Sequence, residues 1–113
     1  LARVVDEASR AGGLTAVVAP WKSEARRLAK LLADTVPAAV LLGEGDSLPA
    51  EGVVIVPLKL AKGLEFDRVI IPDASARTFP ANDLARRRLY TTISRATRHL
   101  TMLSAGPLTE LLG

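Results

Sequence analysis

The chain has 113 residues, of which 49% are hydrophobic, and this favours one folded domain over a disordered segment. The absence of cysteine excludes disulfides and thiolate metal sites and fits a cytoplasmic protein, and no apolar run approaches the ~20 residues of a membrane span. The net charge of +3 permits a nucleic acid, a nucleotide or an acidic protein as partner and requires none of them, while 4% aromatic residues show no stacking platform for single strands.

The first half of the chain alternates helix and strand patterns. Apolar residues at helical spacing predict a helix over residues 1–11, which two glycines end. Continuous apolar runs at 14–19 and 38–42 predict buried strands. Between them, residues 23–34 predict a helix whose apolar stripe, with Trp21 at its start, packs in the core.

The second half continues the alternation after a surface loop at 43–52. Its predicted elements are strands at 53–56, 68–71 and 100–103, a helix from Asn82 or Asp83 to about Thr97, and a short helix at 108–112. Strands that are apolar throughout and alternate with helices predict an α/β fold. We therefore expect residues 1–113 to form a single domain, with a mostly parallel five-stranded sheet covered by helices on both faces.

A polar glycine loop joins the strands at 53–56 and 68–71. Gly63 would let the backbone approach a phosphate, because no Cβ intervenes, and the carboxylate of Glu65 could accept hydrogen bonds from a ribose. The alternative is a tight turn with surface charges. Asp67 is expected to pin this turn or to pair with Arg68 or a lysine.

Arginines dominate the helix predicted after Asn82. Arg88 and Arg95 are seven residues apart, so on a helix they would share a face, and guanidinium groups bind phosphate oxygens through two parallel bonds. The alternative is a solvated basic face. His99, the single histidine, is interpreted as a residue at a strand boundary, and its isolation argues against a metal site.

Two stretches, in this order, resemble known motifs. The sequence AKGLEFDRVII at 61–71 is similar to the fifth motif of superfamily 1 helicases of the UvrD type, and RRLYTTISRA at 87–96 is similar to the sixth. The resemblance implies the second of two RecA-like domains, of the P-loop NTPase type, in an ATP-driven helicase or translocase that acts on DNA. ATP would bind between this domain and an N-terminal RecA-like domain of the same protein, which would hold the phosphate loop and the Mg²⁺ ligands.

The same resemblance implies roles for individual residues. Arg95 would be the arginine finger that reaches the γ-phosphate, Gly63 would approach the phosphates and Glu65 would accept from the ribose. Arg88 would support the same ATP-binding face. Lys59 and Lys62 are the candidate contacts to nucleic acid. No metal ligand is assigned to this chain, and the chain alone is expected to hydrolyse no ATP.

Departures from the family pattern leave alternatives open. Pro57 and Lys59 stand where the fifth motif usually has threonine and histidine, and Pro20 stands where the fourth motif has an arginine. About forty residues separate Trp21 from Lys62, which is short for a processive helicase and resembles the HelD branch, whose members act on RNA polymerase. The alternatives are therefore a non-catalytic module that docks on RNA polymerase, or a sequence-independent nucleic-acid binder.

Overall fold

A computed structural model describes residues 1–112 and contains one five-stranded sheet in the order β2-β3-β1-β4-β5. The strands are β1 (Leu14–Ala19), β2 (Val40–Leu41), β3 (Gly52–Pro57), β4 (Phe66–Ile71) and β5 (Ala96–Met102). Each pair of neighbouring strands is parallel. The predicted α/β class with a parallel five-stranded sheet is therefore confirmed.

Helices cover both faces of this sheet. They are α1 (Ala2–Arg10), α2 (Lys22–Leu32), α3 (Leu58–Ala61) and α4 (Asp83–Ile93), followed by a 3₁₀ turn at Glu110–Leu112. Asn82 caps α4, because its side-chain oxygen accepts a hydrogen bond of 2.9 Å from the Ala85 amide. None of the helices described over residues 1–112 is long and apolar enough to cross a membrane.

The alternating side chains of the strands build a core on each face. On one face, α1 and α2 pack against Val17, Ile55 and Ile70. On the other face, α3 and α4 pack against Val56, Phe66 and other strand residues. Full burial of one such side chain stabilises the fold by about 1.5–3 kcal/mol. The central strand β1 is buried along its whole length, as its continuous apolar sequence predicts.

The buried strand predicted at 38–42 is wrong in both length and burial. Only Val40 and Leu41 form a strand, and their side chains are 55% and 39% exposed. Since β2 is the outermost strand, it pairs with β3 alone and lacks a neighbour on its other side. The chain before β2 turns instead of extending, with the Ala39 amide donating to the Val36 carbonyl at 3.0 Å.

The predictions around α3, α4 and β5 also need correction. The predicted polar loop after β3 begins with the short helix α3, because Leu58 and Ala61 are buried in the core below it. The helix predicted to reach Thr97 ends at Ile93, and β5 starts at Ala96, earlier than expected. His99 consequently lies inside β5, paired in register with Arg68, rather than at a strand boundary.

Trp21 is not in the core, contrary to prediction. It precedes α2 with an extended backbone, at φ −149° and ψ 169°, so it does not follow the helical stripe that Ala25, Leu28 and Leu32 form. These three side chains are buried, whereas the Trp21 side chain is 46% exposed. Helical spacing alone could not reveal this, since the residue lies one position outside the helix.

Candidate functional site

The segment from Pro57 to Phe66 runs between opposite edges of the sheet. Pro57 ends β3 and Phe66 begins β4, and the two strands point the same way, since each is parallel to β1. The segment therefore starts where the strands have their carboxyl ends, which we call the carboxyl edge of the sheet. It ends where the strands have their amino ends, which we call the amino edge. Lys59 follows the first edge and Glu65 precedes the second.

Gly63 lies in a type II turn. Lys62 has φ −58° and ψ 128°, Gly63 has φ +82°, and the Leu64 amide donates to the Ala61 carbonyl at 3.0 Å. The third position of such a turn needs a positive φ, which glycine adopts without strain. Over residues 1–112 the Gly63 amide donates to no backbone carbonyl, and a Cβ added to Gly63 would have no atom within 4 Å. The turn thus requires the glycine and leaves its amide available to a ligand.

Asp67 ties the start of β4 to the start of β1. One carboxylate oxygen accepts a hydrogen bond of 2.8 Å from the Leu14 amide, and the other lies 3.9 Å from Nε of Arg98. The predicted pairing with Arg68 or a lysine is therefore wrong. The carboxylate also lies against Gly13, where an added Cβ would come within 2.8 Å of its oxygen. Asp67 has a structural role at the amino edge of the sheet.

Two hydrogen bonds join the first helicase-like stretch, residues 61–71, to the end of the second, residues 87–96, and to the start of β5. The Phe66 amide donates to the Arg95 carbonyl at 2.8 Å, and the Thr97 hydroxyl donates to the Phe66 carbonyl at 3.2 Å. Arg95 is thereby held beside the residue that follows Glu65. Arg95 and Glu65 therefore both lie at the amino edge of the sheet, where β4 and β5 begin.

The guanidinium of Arg95 has few partners. Its Nη2 lies 3.2 Å from the Ser94 hydroxyl, and it pairs with no carboxylate within residues 1–112. Its Nε is shielded from solvent and has no hydrogen-bond acceptor in that part of the chain. A shielded donor of a charged group that lacks an acceptor costs free energy. The guanidinium can therefore meet an external anion through its terminal nitrogens, and not through Nε in this conformation.

Arg88 and Arg95 do not share a helix face. Because α4 ends at Ile93, the seven-residue spacing between the two arginines does not follow helical geometry. Arg88 instead lines a groove of about 620 Å³ at the carboxyl edge of the sheet, together with Lys59 and Lys62. The predicted site residues thus fall into two groups, with Arg95 and Glu65 at the amino edge and the other three side chains at this groove.

The groove, which we call the cationic groove, has a strongly positive lining. Five basic side chains line it against one carboxylate, that of Glu44: Lys22, Lys59, Lys62, Arg87 and Arg88. None of the five forms an ion pair with a carboxylate within residues 1–112. Their charges are therefore available to an anionic ligand. Sequence reasoning identified Lys59, Lys62 and Arg88 but missed Lys22 and Arg87, because only the fold brings α2 and α4 to the same edge.

A second, smaller groove of about 390 Å³ adjoins the cationic groove, and Trp21 lines both. Its lining includes two acids and two arginines: Glu24, Asp73, Arg27 and Arg77. Arg27 is paired with Glu24, and this hydrogen bond raises the pKa of the Arg27 guanidinium. The second groove thus lacks the positive excess of the cationic groove.

The carboxylate of Asp73, in the second groove, already accepts hydrogen bonds from the chain itself. Burial alone would raise the pKa of its carboxyl, but hydrogen bonds from Thr78, Ala105 and Ser75 outweigh burial and hold the pKa below its ordinary value. The donors are two hydroxyls and two backbone amides, at 2.8–3.2 Å. Asp73 therefore orders the loop that follows β4, and it is not a free acid or base.

The described chain offers no ligand set for Mg²⁺. Residues 1–112 contain no group of three or more His, Asp or Glu side chains that could hold a metal ion. Of the two acids near Arg95, Glu65 is exposed and Asp67 is engaged by the Leu14 amide.

Comparisons with known proteins agree with this architecture. The family model described as UvrD-like helicase C-terminal domain matches residues 52–103, a range that includes both helicase-like stretches. A solved structure, described as the C-terminal domain of a possible DNA helicase from Lactobacillus plantarum WCFS1, is 34% identical with a TM-score of 0.82. The match covers 98% of this chain and 70% of that chain. No curated protein matches the chain.

The likeness extends over nearly the whole domain and is not limited to the motifs. It includes nearly all of the first 51 residues, which the family model does not match. The identity and the coverage of the solved structure are high enough to establish kinship as well as a common fold. By sequence and by structure, this chain belongs to the family of UvrD-like helicase C-terminal domains.

Proposed function

We propose that this domain is the second RecA-like motor domain of an ATP-driven DNA helicase or translocase. In this proposal ATP binds between the domain and an N-terminal RecA-like domain of the same protein, which supplies the phosphate loop and the Mg²⁺ ligands. The ATP supplies a γ-phosphoryl group that is transferred to water. Arg95 acts as the arginine finger that stabilises the charge developing on that group.

One observation carries the proposal, namely the environment of Arg95. Its carbonyl accepts the Phe66 amide, which holds the arginine beside the residue that follows Glu65, while its guanidinium has no carboxylate partner within residues 1–112. The terminal nitrogens of this guanidinium form no ion pair within residues 1–112, which suits a group that meets a phosphate oxygen only when the partner domain closes. The free Gly63 amide and the exposed Glu65 carboxylate would contact the phosphates and the ribose of the same nucleotide.

The candidate site residues lie at two opposite edges of the sheet, which supports separate binding sites for ATP and DNA. Arg95 and Glu65 lie at the amino edge of the sheet, whereas Lys59, Lys62 and Arg88 line the cationic groove at the carboxyl edge. We assign the amino edge to ATP and the cationic groove to the phosphate backbone of DNA. This assignment moves Arg88 from the nucleotide, where its motif position put it, to the nucleic acid.

The test is Arg95→Ala in the protein that joins this domain to its partner motor domain. Removing an arginine finger lowers the rate of hydrolysis by about 10³–10⁵ in nucleotide hydrolases, and we expect a loss in that range. Arg95→Lys should restore little of the rate, because an ammonium cannot reproduce two parallel hydrogen bonds. Steady-state ATP hydrolysis is the measurement.

Arg98→Ala is the matched control. Arg98 is an exposed arginine three residues further along, and it faces Asp67 at 3.9 Å. An exposed ion pair contributes about 0–1 kcal/mol, so its loss should leave the fold and the ATPase rate unchanged. Wild-type ATP turnover by Arg95→Ala would overturn the proposal and favour a non-catalytic module.

Three finer expectations stay predictions. Membership of the HelD branch, and therefore docking on RNA polymerase, is expected from the short interval between Trp21 and Lys62 and from the motif pattern. A cytoplasmic location depends on the absence of cysteine. The inactivity of the isolated domain follows from the missing phosphate loop, and an ATPase assay on the 113-residue chain tests it directly.

A further inference from the structure

Trp21 occupies an unusual place for a tryptophan. Its side chain is 46% exposed, and it lines both the cationic groove and the second groove at the carboxyl edge of the sheet. Its backbone is fixed, since Pro20 precedes it and its carbonyl accepts the Ala25 amide at 3.1 Å. A large aromatic surface is therefore held open to solvent at a defined position.

The two grooves that Trp21 borders differ in charge. The cationic groove has five basic side chains against one acid, whereas the second groove has two of each sign, and its acids are already engaged by Arg27 and by the loop around Asp73. None of these five cations pairs with a carboxylate within residues 1–112, although the whole chain carries a net charge of only +3. A ligand that spans Trp21 would therefore place its anionic part in the cationic groove.

From this arrangement we infer that Trp21 is a base-stacking residue for single-stranded nucleic acid. The phosphates of the strand contact the basic side chains of the cationic groove, and a base stacks on the indole at the boundary with the second groove. Every base has a π face, so the contact selects single strands without selecting a sequence. A duplex cannot use it, because its bases are already stacked and paired. The inference rests on the proposed function in one respect, that nucleic acid binds at this edge.

The single tryptophan makes the inference directly testable. Trp21 is the only tryptophan in the 113 residues, so the intrinsic indole fluorescence of the chain reports on this side chain alone. Titration of the chain with a short oligodeoxythymidylate should quench this fluorescence. The same strand annealed to its complement should bind through its phosphates with little quenching.

Variants separate stacking from charge. Trp21→Ala should weaken binding of the labelled single strand, measured by anisotropy, by about 5–150-fold, the usual effect of removing one stacked base contact. Trp21→Phe should recover much of the loss, which also controls for folding. Lys59→Ala should instead lower the slope of log affinity against log salt by about 0.7, as expected for one lost contact to a single-strand phosphate.

Tyr90→Ala is the matched aromatic control. Tyr90 is 59% exposed but lines neither groove, so its removal should leave the affinity unchanged. Equal binding of the single strand by Trp21→Ala and wild type, or equal quenching by duplex and single strand, would overturn the inference. Either result would leave the ATPase test on Arg95 standing, so the failure of one proposal can be told from the failure of the other.

Discussion

Replacement of Gly63 by alanine separates a structural role of this glycine from a functional one. Gly63 has φ +82° in a type II turn, a conformation that costs a residue with a Cβ about 1–2 kcal/mol. No atom lies within 4 Å of the position that the new Cβ would take, so no clash adds to this cost. We expect Gly63→Ala to lower the free energy of unfolding by about 1–2 kcal/mol.

The chain contains a matched control for the backbone effect. Gly12 has φ +81° and also has open space around its Cβ position, but it lies between α1 and β1, outside the helicase-like stretches. Gly12→Ala should therefore cost as much stability as Gly63→Ala. Urea unfolding measures this loss, and we expect both variants to keep the m value of the wild type. In thermal unfolding, each lost kcal/mol should lower the melting temperature by about 4–8 °C in a domain near 100 residues.

The two variants should differ in ATP hydrolysis once the domain is joined to its partner motor domain. If the Gly63 amide approaches the phosphates, a methyl group at this position impedes that approach, so only Gly63→Ala should lose activity beyond the shared effect on stability. Equal activity in the two variants would refute the nucleotide role of Gly63. A stability loss several-fold larger for Gly63→Ala would refute the open turn.

Three further predictions concern the groups that hold the loops. Asp73→Asn should lower the free energy of unfolding by up to about 1 kcal/mol at neutral pH, because solvent screens this partly exposed carboxylate. Since folding lowers the Asp73 pKa, that stabilisation is present above the ordinary value of 3.8 and is lost as the pH falls below it, so urea titrations of wild type and variant should converge in acid. Gly13→Ala should lower the free energy of unfolding by about 1–3 kcal/mol more than Gly12→Ala does, because the new Cβ would displace the Asp67 carboxylate. An equal loss of stability in the two variants would contradict this contact. Asn82→Ala should cost about 1 kcal/mol by removing the cap on Ala85, and an unchanged melting temperature would argue against the cap.

The sequence predicts those parts of the fold that depend on local pattern. Continuous apolar runs located β1, β3 and β4, because a strand buried on both faces has apolar side chains throughout. The pattern failed at β2, where an apolar run lies exposed at the sheet edge. Whether a run is central or at the edge depends on strand order, which no local pattern contains.

A site can be proposed from sequence where a motif suggests its chemistry, and not where distant segments meet. Two short stretches are enough to propose Gly63 and Arg95 as site residues, and the hydrogen bond from the Phe66 amide to the Arg95 carbonyl joins these stretches in the fold. The local sequence does not identify Trp21 or Arg87 as groove residues. Helical spacing places Trp21 on a stripe that in fact begins after it, and Arg87 reaches the groove only because α4 packs beside α3.

The short outer strand β2 has a consequence for the behaviour of the protein at high concentration. An outermost strand with unpaired backbone groups is a template on which a strand from another copy can add, the first step toward aggregation. Two residues give an incoming strand too few hydrogen bonds to hold it. The other edge, β5, is seven residues long, but it carries the exposed Arg98 and His99, and its ladder with β4 is irregular near its start. A brief strand on one side and the exposed charge of Arg98 on the other oppose association of the sheet through its outer strands.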